Sequence, residues 1–226
     1  MKKGKVVHRI PKDHYMVSKR NRVFIDKKKE ASANACREKV NIEEEFCMLE
    51  KKLLHDCNIF NVVELPPDPS LSKRKTSKFW VEHKPTVCIV PLNPEGLFIF
   101  IEQFRWPAMR GVTEFPAGSM DDGESPMEAA NRELAEEIGF RAHTLIKLFE
   151  GYLSPGYSNE YMYFYLAKDL YYSPLPCDEG EEDIKKHTLS FSEAITLAAN
   201  GENIDAKTML ALMLSEKYLS LEGNIK

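Results

Sequence analysis

Three glutamates, Glu133, Glu136 and Glu137, lie within the five residues after Arg132. Spacings of three and four residues put these carboxylates on one face of a helix, while Ala130, Leu134 and Ile138 form an apolar stripe on another. Like charges so placed repel in a bare helix, and a bound cation reverses the sign of that cost. Clustered carboxylate oxygens suit a hard ion, Mg²⁺ or alternatively Mn²⁺, which keeps several waters and is completed by substrate phosphates. Arg132 is placed to pair with Glu124 or Glu136 and hold its orientation. The competing reading is a solvated acidic helix face behind an ordinary cap. Against it stands the whole pattern from Gly118 to Phe140, G-x5-E-x7-R-E-U-x-E-E-x-G-U with U aliphatic or aromatic, met at every fixed position. Chance would produce it in a chain of this length with odds on the order of one in ten million.

A helix over 126–138 must carry these groups. Ser125 caps it, Pro126 suits its first position, Glu128 completes a capping box and Gly139 takes the left-handed stop. Strand patterns precede it at Phe60–Leu65, Phe79–Glu82, Thr86–Pro91 and Leu97–Phe104, the last two joined by the turn Asn93-Pro94-Glu95-Gly96. Strands are also expected at Leu145–Phe149 and Tyr161–Ala167, then a long loop over Ser173–Asp183. Ser190 with Glu193 opens another capped helix, ending near Asn200-Gly201, and Asp205 opens the last, to about Leu219. Earlier in the chain, Asn41 with Glu44, followed by Ile42, Phe46, Leu49 and Leu53, predicts a helix ending near Asp56. Mixed strands with few helices imply a layered α/β domain.

The 226 residues suffice for one ordinary domain with an appendage, drawn as a basic extension over 1–57 and a folded body over 58–226. Apolar residues at 43% and charged residues at 29% exclude a disordered or collagen-like chain. No apolar run is long enough for a membrane span or a signal peptide, and five widely spaced cysteines read as free thiols in a reducing, cytoplasmic setting. A net charge of −4 conceals a split: residues 1–40 hold 13 Lys or Arg against 4 Asp or Glu, whereas the rest is strongly acidic. Such a body repels nucleic acid unless cations intervene, so nucleic acid is not the expected partner.

The segment 118–140 resembles the Nudix box, the signature of hydrolases acting on nucleoside diphosphates linked to another moiety. Around it, Gln103-Phe104-Arg105-Trp106-Pro107, Glu114-Phe115-Pro116-Ala117-Gly118, Ser154-Pro155-Gly156-Tyr157-Ser158-Asn159-Glu160 and Asp205-Ala206-Lys207-Thr208 are similar to segments of ADP-ribose and ADP-sugar pyrophosphatases. The resemblance covers roughly 58–219. It implies an α/β (α+β) Nudix fold, an α/β/α sandwich around a mixed sheet with the box as loop-helix-loop, and often a homodimer. It also implies that Glu133, Glu136, Glu137 and the Ala117 carbonyl hold the metal, and that Gly118, Gly123 and Gly139 serve backbone geometry only.

Arg105 offers a planar fork of donors for phosphate or carboxylate, and Trp106 either covers a base or fills the core. Glu114, Ser154 and Glu160 join them as expected substrate contacts. In the resembled group a glutamate after the Ser-Pro-Gly segment deprotonates the attacking water. Here that loop reads Asp178-Glu179-Gly180-Glu181-Glu182-Asp183-Ile184, one residue longer than the pattern; Glu179 is taken as the base, with Glu181 and Glu182 as alternatives. Glu179, Glu136 and Arg132 therefore form the expected catalytic set. The implied reaction turns ADP-ribose into AMP and ribose 5-phosphate. Other ADP-sugars, dinucleoside polyphosphates, NADH or capped RNA are the alternative substrates, and an inactive ADP-ribose sensor is the alternative of another class.

Overall fold

The computed structural model describes residues 15–17, 24–26, 50–57, 59–67, 75–177, 183–201 and 203–220. Residues 41–49 of the expected helix over 41–56 and the glutamates Glu179, Glu181 and Glu182 lie outside the described residues. The chain divides into two compact units, residues 1–50 and 51–226. The first contains an antiparallel pair, β1 (Tyr15–Val17) with β2 (Phe24–Asp26).

The second unit opens with three antiparallel strands, β3 (Lys52–Asp56), β4 (Phe60–Leu65) and β5 (Lys78–His83). β3 overturns the expectation of a helix running to Asp56. Its backbone pairs with β4 from Lys52↔Glu64 to Asp56↔Asn61, and such pairing outweighs the modest helical preference of Leu53 and Leu54.

A mixed four-stranded sheet follows, in the order β10 (Phe140–Tyr152), β11 (Tyr161–Tyr172), β6 (Thr86–Pro91) and β9 (Ala117–Ser119). β11 runs parallel to β6, and the other pairs are antiparallel. A third sheet places β7 (Phe98–Arg105) between β12 (Lys185–Leu189) and β8 (Arg110–Glu114). β8, β9 and β12 were not expected from the sequence. The first two are short and interrupted by Gly111, Pro116 and Gly118, and β12 is a polar edge, Lys-Lys-His-Thr-Leu, without the usual alternation.

The six residues of β6 are all buried, because both faces of the strand are covered. Cys88, Val90 and Leu92 enter one core with Phe98, Phe100, Phe115, Phe164 and Leu166, against α2 (Phe191–Ala199) and α3 (Ala206–Ser220). Val87 and Ile89 enter the other with Ile101, Tyr165 and Ala167, against α1 (Pro126–Glu133) and the turn that continues it. Helices on two faces of a mixed sheet make the expected α/β/α sandwich. Among the described residues, no helix is long and apolar enough to cross a membrane.

Candidate active site

α1 begins where the sequence places it. The Ser125 hydroxyl accepts the Glu128 N–H at 3.3 Å, and the Glu128 carboxylate accepts the Ser125 N–H at 2.9 Å. Beyond Glu133 the helix widens into a π turn over Leu134–Ile138, which carries Glu136 and Glu137. Gly139 closes that turn at φ 80°, its N–H donating to the Leu134 carbonyl. Departures of this kind inside an α-helix recur at functional sites. The segment after β11 covers the end of the turn: Leu175 N–H reaches the Ala135 carbonyl at 3.0 Å, and the Cys177 thiol the Glu136 carbonyl at 3.1 Å.

Arg132 organises the acidic face. Its Nε and Nη2 donate to the two Glu124 oxygens at 3.0 and 2.9 Å, and Nη2 also reaches the Ser119 carbonyl at 2.8 Å. Nη1 donates to Glu133 at 2.8 Å and to Glu136 at 2.9 Å. The structure thus joins both carboxylates offered as partners for Arg132 and adds a third. Glu137, 1% exposed, accepts the Ala117 N–H at 3.1 Å. Among the described residues, no three acidic, Cys or His side chains are gathered closely enough to surround an ion. The donor set nevertheless fits a hard cation: three carboxylates on adjacent turns, two of them buried, beside a strand without a side chain at Gly118.

Gly118 corrects an expectation. A Cβ there would collide with the carboxylate of Glu133, so it is glycine to admit a side chain, not for backbone geometry alone. Gly118→Ala is expected to leave the fold intact, because the far end of a flexible side chain yields, yet to push Glu133 off its place. The variant should melt within roughly 3 °C of the parent, about one kcal/mol for a domain of this size, and lose most of its turnover. Calorimetry beside an activity assay tests both halves.

Arg105 lies against Glu114 as a two-point pair, Nε to Oε1 at 2.6 Å and Nη2 to Oε2 at 2.8 Å. Glu114 is 2% exposed and also bonded by the Lys207 ammonium. Burial pushes the Glu114 carboxyl up, but Arg105 and Lys207 outweigh it and hold it below the usual carboxylate range. Glu124 is held down similarly, burial being opposed by Arg132 and the Asp121 N–H. Both therefore contribute stability that is complete above the ordinary value of 4.5 and lost as pH falls through the lowered folded values. Denaturant midpoints should hold level from pH 7 to about 5 and fall steeply below about 4. In Glu114→Gln the fall should be shallower, since one of the groups responsible is gone.

Trp106 is 75% exposed and meets Phe104 edge to face at 5.1 Å, which overturns its core-filling role and leaves its surface role standing. Ser154 supplies its carbonyl to Tyr157 and Ser158, shaping a turn that docks on β5 through Val81 N–H to the Tyr157 carbonyl at 2.8 Å. Glu160 accepts the Thr86 hydroxyl at 3.1 Å, and Thr86 pairs across to Ser119, whose carbonyl Arg132 holds. Glu160 is therefore tied to the box through Thr86, rather than being an exposed turn acid. Sequence reasoning missed Thr86 and Lys207. The only signal for the latter was the Asp205-Ala206-Lys207-Thr208 segment.

Residues 82–212 match the family model described as the NUDIX domain. An ADP-ribose pyrophosphatase of Bacillus subtilis (strain 168) is 34% identical over 161 residues, covering 71% of this chain and 82% of that protein. A methanol dehydrogenase activator of Bacillus methanolicus is 30% identical over 184 residues, covering 79% and 97%. A GDP-mannose pyrophosphatase of Yersinia enterocolitica is 36% identical over 142 residues, covering 59% and 72%. Among solved structures, the crystal structure of an ADP compounds hydrolase superposes with a TM-score of 0.66 at 26% identity, covering 78% of this chain and 95% of that one.

Proposed function

The chain belongs to the NUDIX family, and on that premise we propose that it is a divalent-metal-dependent pyrophosphohydrolase splitting ADP-ribose, or a related nucleoside diphosphate sugar, into a nucleoside monophosphate and a sugar phosphate. The observation that carries this reading is the Arg132 guanidinium, donating at once to Glu124, Glu133, Glu136 and the Ser119 carbonyl beside a buried Glu137. A solvated acidic helix needs no such scaffold.

Glu133, Glu136 and Glu137, with the Ala117 carbonyl, are the groups that would hold Mg²⁺ or Mn²⁺. When bound, the ion neutralises phosphate charge and acidifies a coordinated water. Arg105, anchored on Glu114, orients a phosphate with its planar donors. Trp106 and Phe104 offer an exposed aromatic surface for the base. Glu160, tied to the box through Thr86, and Ser154 complete the substrate contacts of this reading, and Glu179 accepts the proton of the attacking water. With ADP-ribose, water adds across the phosphoanhydride, and AMP and ribose 5-phosphate leave.

The likeness to the Yersinia enzyme supports a second substrate, GDP-mannose, for the same chemistry. A panel of ADP-ribose, ADP-glucose, GDP-mannose, NADH and diadenosine polyphosphates, assayed with Mg²⁺ for nucleotide release, ranks them. Binding of ADP-ribose with no turnover of any member, in Mg²⁺ or Mn²⁺, would replace the enzyme by a sensor. A homodimer belongs to the same reading and is tested by sedimentation. So does a cytoplasmic location, which the free thiols Cys57, Cys88 and Cys177 suit.

A further inference from the structure

We propose that Lys207 is a positioning residue: it holds Glu114, and through Glu114 it fixes the direction in which the Arg105 guanidinium meets a phosphate. This rests on Arg105 being a phosphate contact, as argued above.

Lys207 is the second residue of α3, and its ammonium bonds two carboxylates, Glu114 and Asp205. Its side chain is only 14% exposed, so it is poorly placed to meet substrate itself. Glu114 receives three N–H donors from two cations: Nε and Nη2 of Arg105 and the Lys207 ammonium. With Nε and Nη2 committed, the guanidinium keeps one orientation, and its side chain remains 40% exposed.

The start of α3 is pinned to the strand that carries Glu114. Thr113 N–H donates to the Asn203 carbonyl at 2.6 Å, and Asp205 N–H returns to the Thr113 carbonyl at 3.4 Å. The Thr208 hydroxyl accepts the Phe115 N–H at 2.9 Å, while Thr208 N–H is capped by Asp205 at 2.8 Å. The ammonium therefore has little freedom to follow Glu114 if that side chain rotates.

Two cations balance two carboxylates in this group. Removing Lys207 leaves Glu114 and Asp205 facing each other with only Arg105 to neutralise them. Arg105 is then drawn inward and its edge turns from the phosphate. Loss of affinity, with little loss of the chemical step, is the expected signature.

The experiment measures ADP-ribose affinity by calorimetry in EDTA, where turnover is blocked, and kcat with Mg²⁺. Lys207→Met should weaken binding about tenfold and change kcat less than about threefold, with Lys207→Arg restoring affinity to within about threefold. In a Glu114→Gln background, the further effect of Lys207→Met should shrink below about twofold, because the residue through which it acts is gone. Additive effects in that cycle would mean direct contact or general destabilisation and would overturn the proposal, as would unchanged affinity in the single variant. Lys207→Gln is read in the same cycle if the methionine variant does not fold. A wild-type chain that binds no nucleotide of the substrate panel, with or without Mg²⁺, defeats the functional reading and this proposal with it; a binding wild type with an indifferent Lys207 defeats this proposal alone.

Discussion

Glu137→Gln is expected to reduce kcat by about 10²–10³ while leaving the protein folded, the size of loss seen when one preorganised electrostatic group is removed from a transition state. The side chain is 1% exposed, and one of its oxygens accepts the Ala117 N–H at 3.1 Å. Glutamine has the same shape and keeps an oxygen for that bond. What disappears is a negative charge beside Glu133 and Glu136, where repulsion is costly without a cation. The melting temperature in EDTA should stay level or rise, and the gain in melting temperature on adding Mg²⁺ should shrink. Unchanged turnover in the variant would remove Glu137 from the metal site and would undo the functional reading.

Arg132→Met gives the second large effect, on stability and activity together. It deletes five hydrogen bonds, to Glu124, Glu133, Glu136 and the Ser119 carbonyl. Breaking a fully buried ion pair costs about 3–5 kcal/mol. Arg132 is 20% exposed, so water recovers part of that, and a loss of about 2–3 kcal/mol is expected. For a domain of this size the melting temperature should fall by roughly 5–10 °C in EDTA. Mg²⁺ should recover some of it by neutralising the carboxylates that Arg132 releases. A drop below one degree would show that the network contributes nothing to the fold.

The acidic motif was legible because its information is local. Ser125, Glu128, Arg132 and Gly139 act on neighbours within a few residues, and the structure returns the cap, the Arg132 pairs and the left-handed stop. The inner strands were legible for the same reason, Thr86–Pro91 and Phe60–Leu65 being apolar enough to declare themselves. Contacts between distant segments were not. Lys207 meets Glu114 across 93 residues, and nothing in either neighbourhood announces the other. β8 and β9 are strands because β7 and β6 present edges to them, not through their own composition. β3 shows the converse failure, a plausible helical spacing overruled by a neighbouring strand. Gly118 was read for its backbone, whereas its reason is a carboxylate 15 positions further on.

The widened turn over Leu134–Ile138 makes the reactive groups vulnerable to a change in chain length that the fold itself could absorb. Dropping Ala135 would let the backbone relax into a uniform spiral, closing on Gly139 with one residue fewer. Glu136 and Glu137 would then stand one step closer to Glu133 along the axis and turned from their present directions, while the chain beyond Gly139 keeps its register. Such a shortened protein would keep its two cores in outline, yet its last two glutamates would face elsewhere, leaving a well-formed but chemically silent molecule.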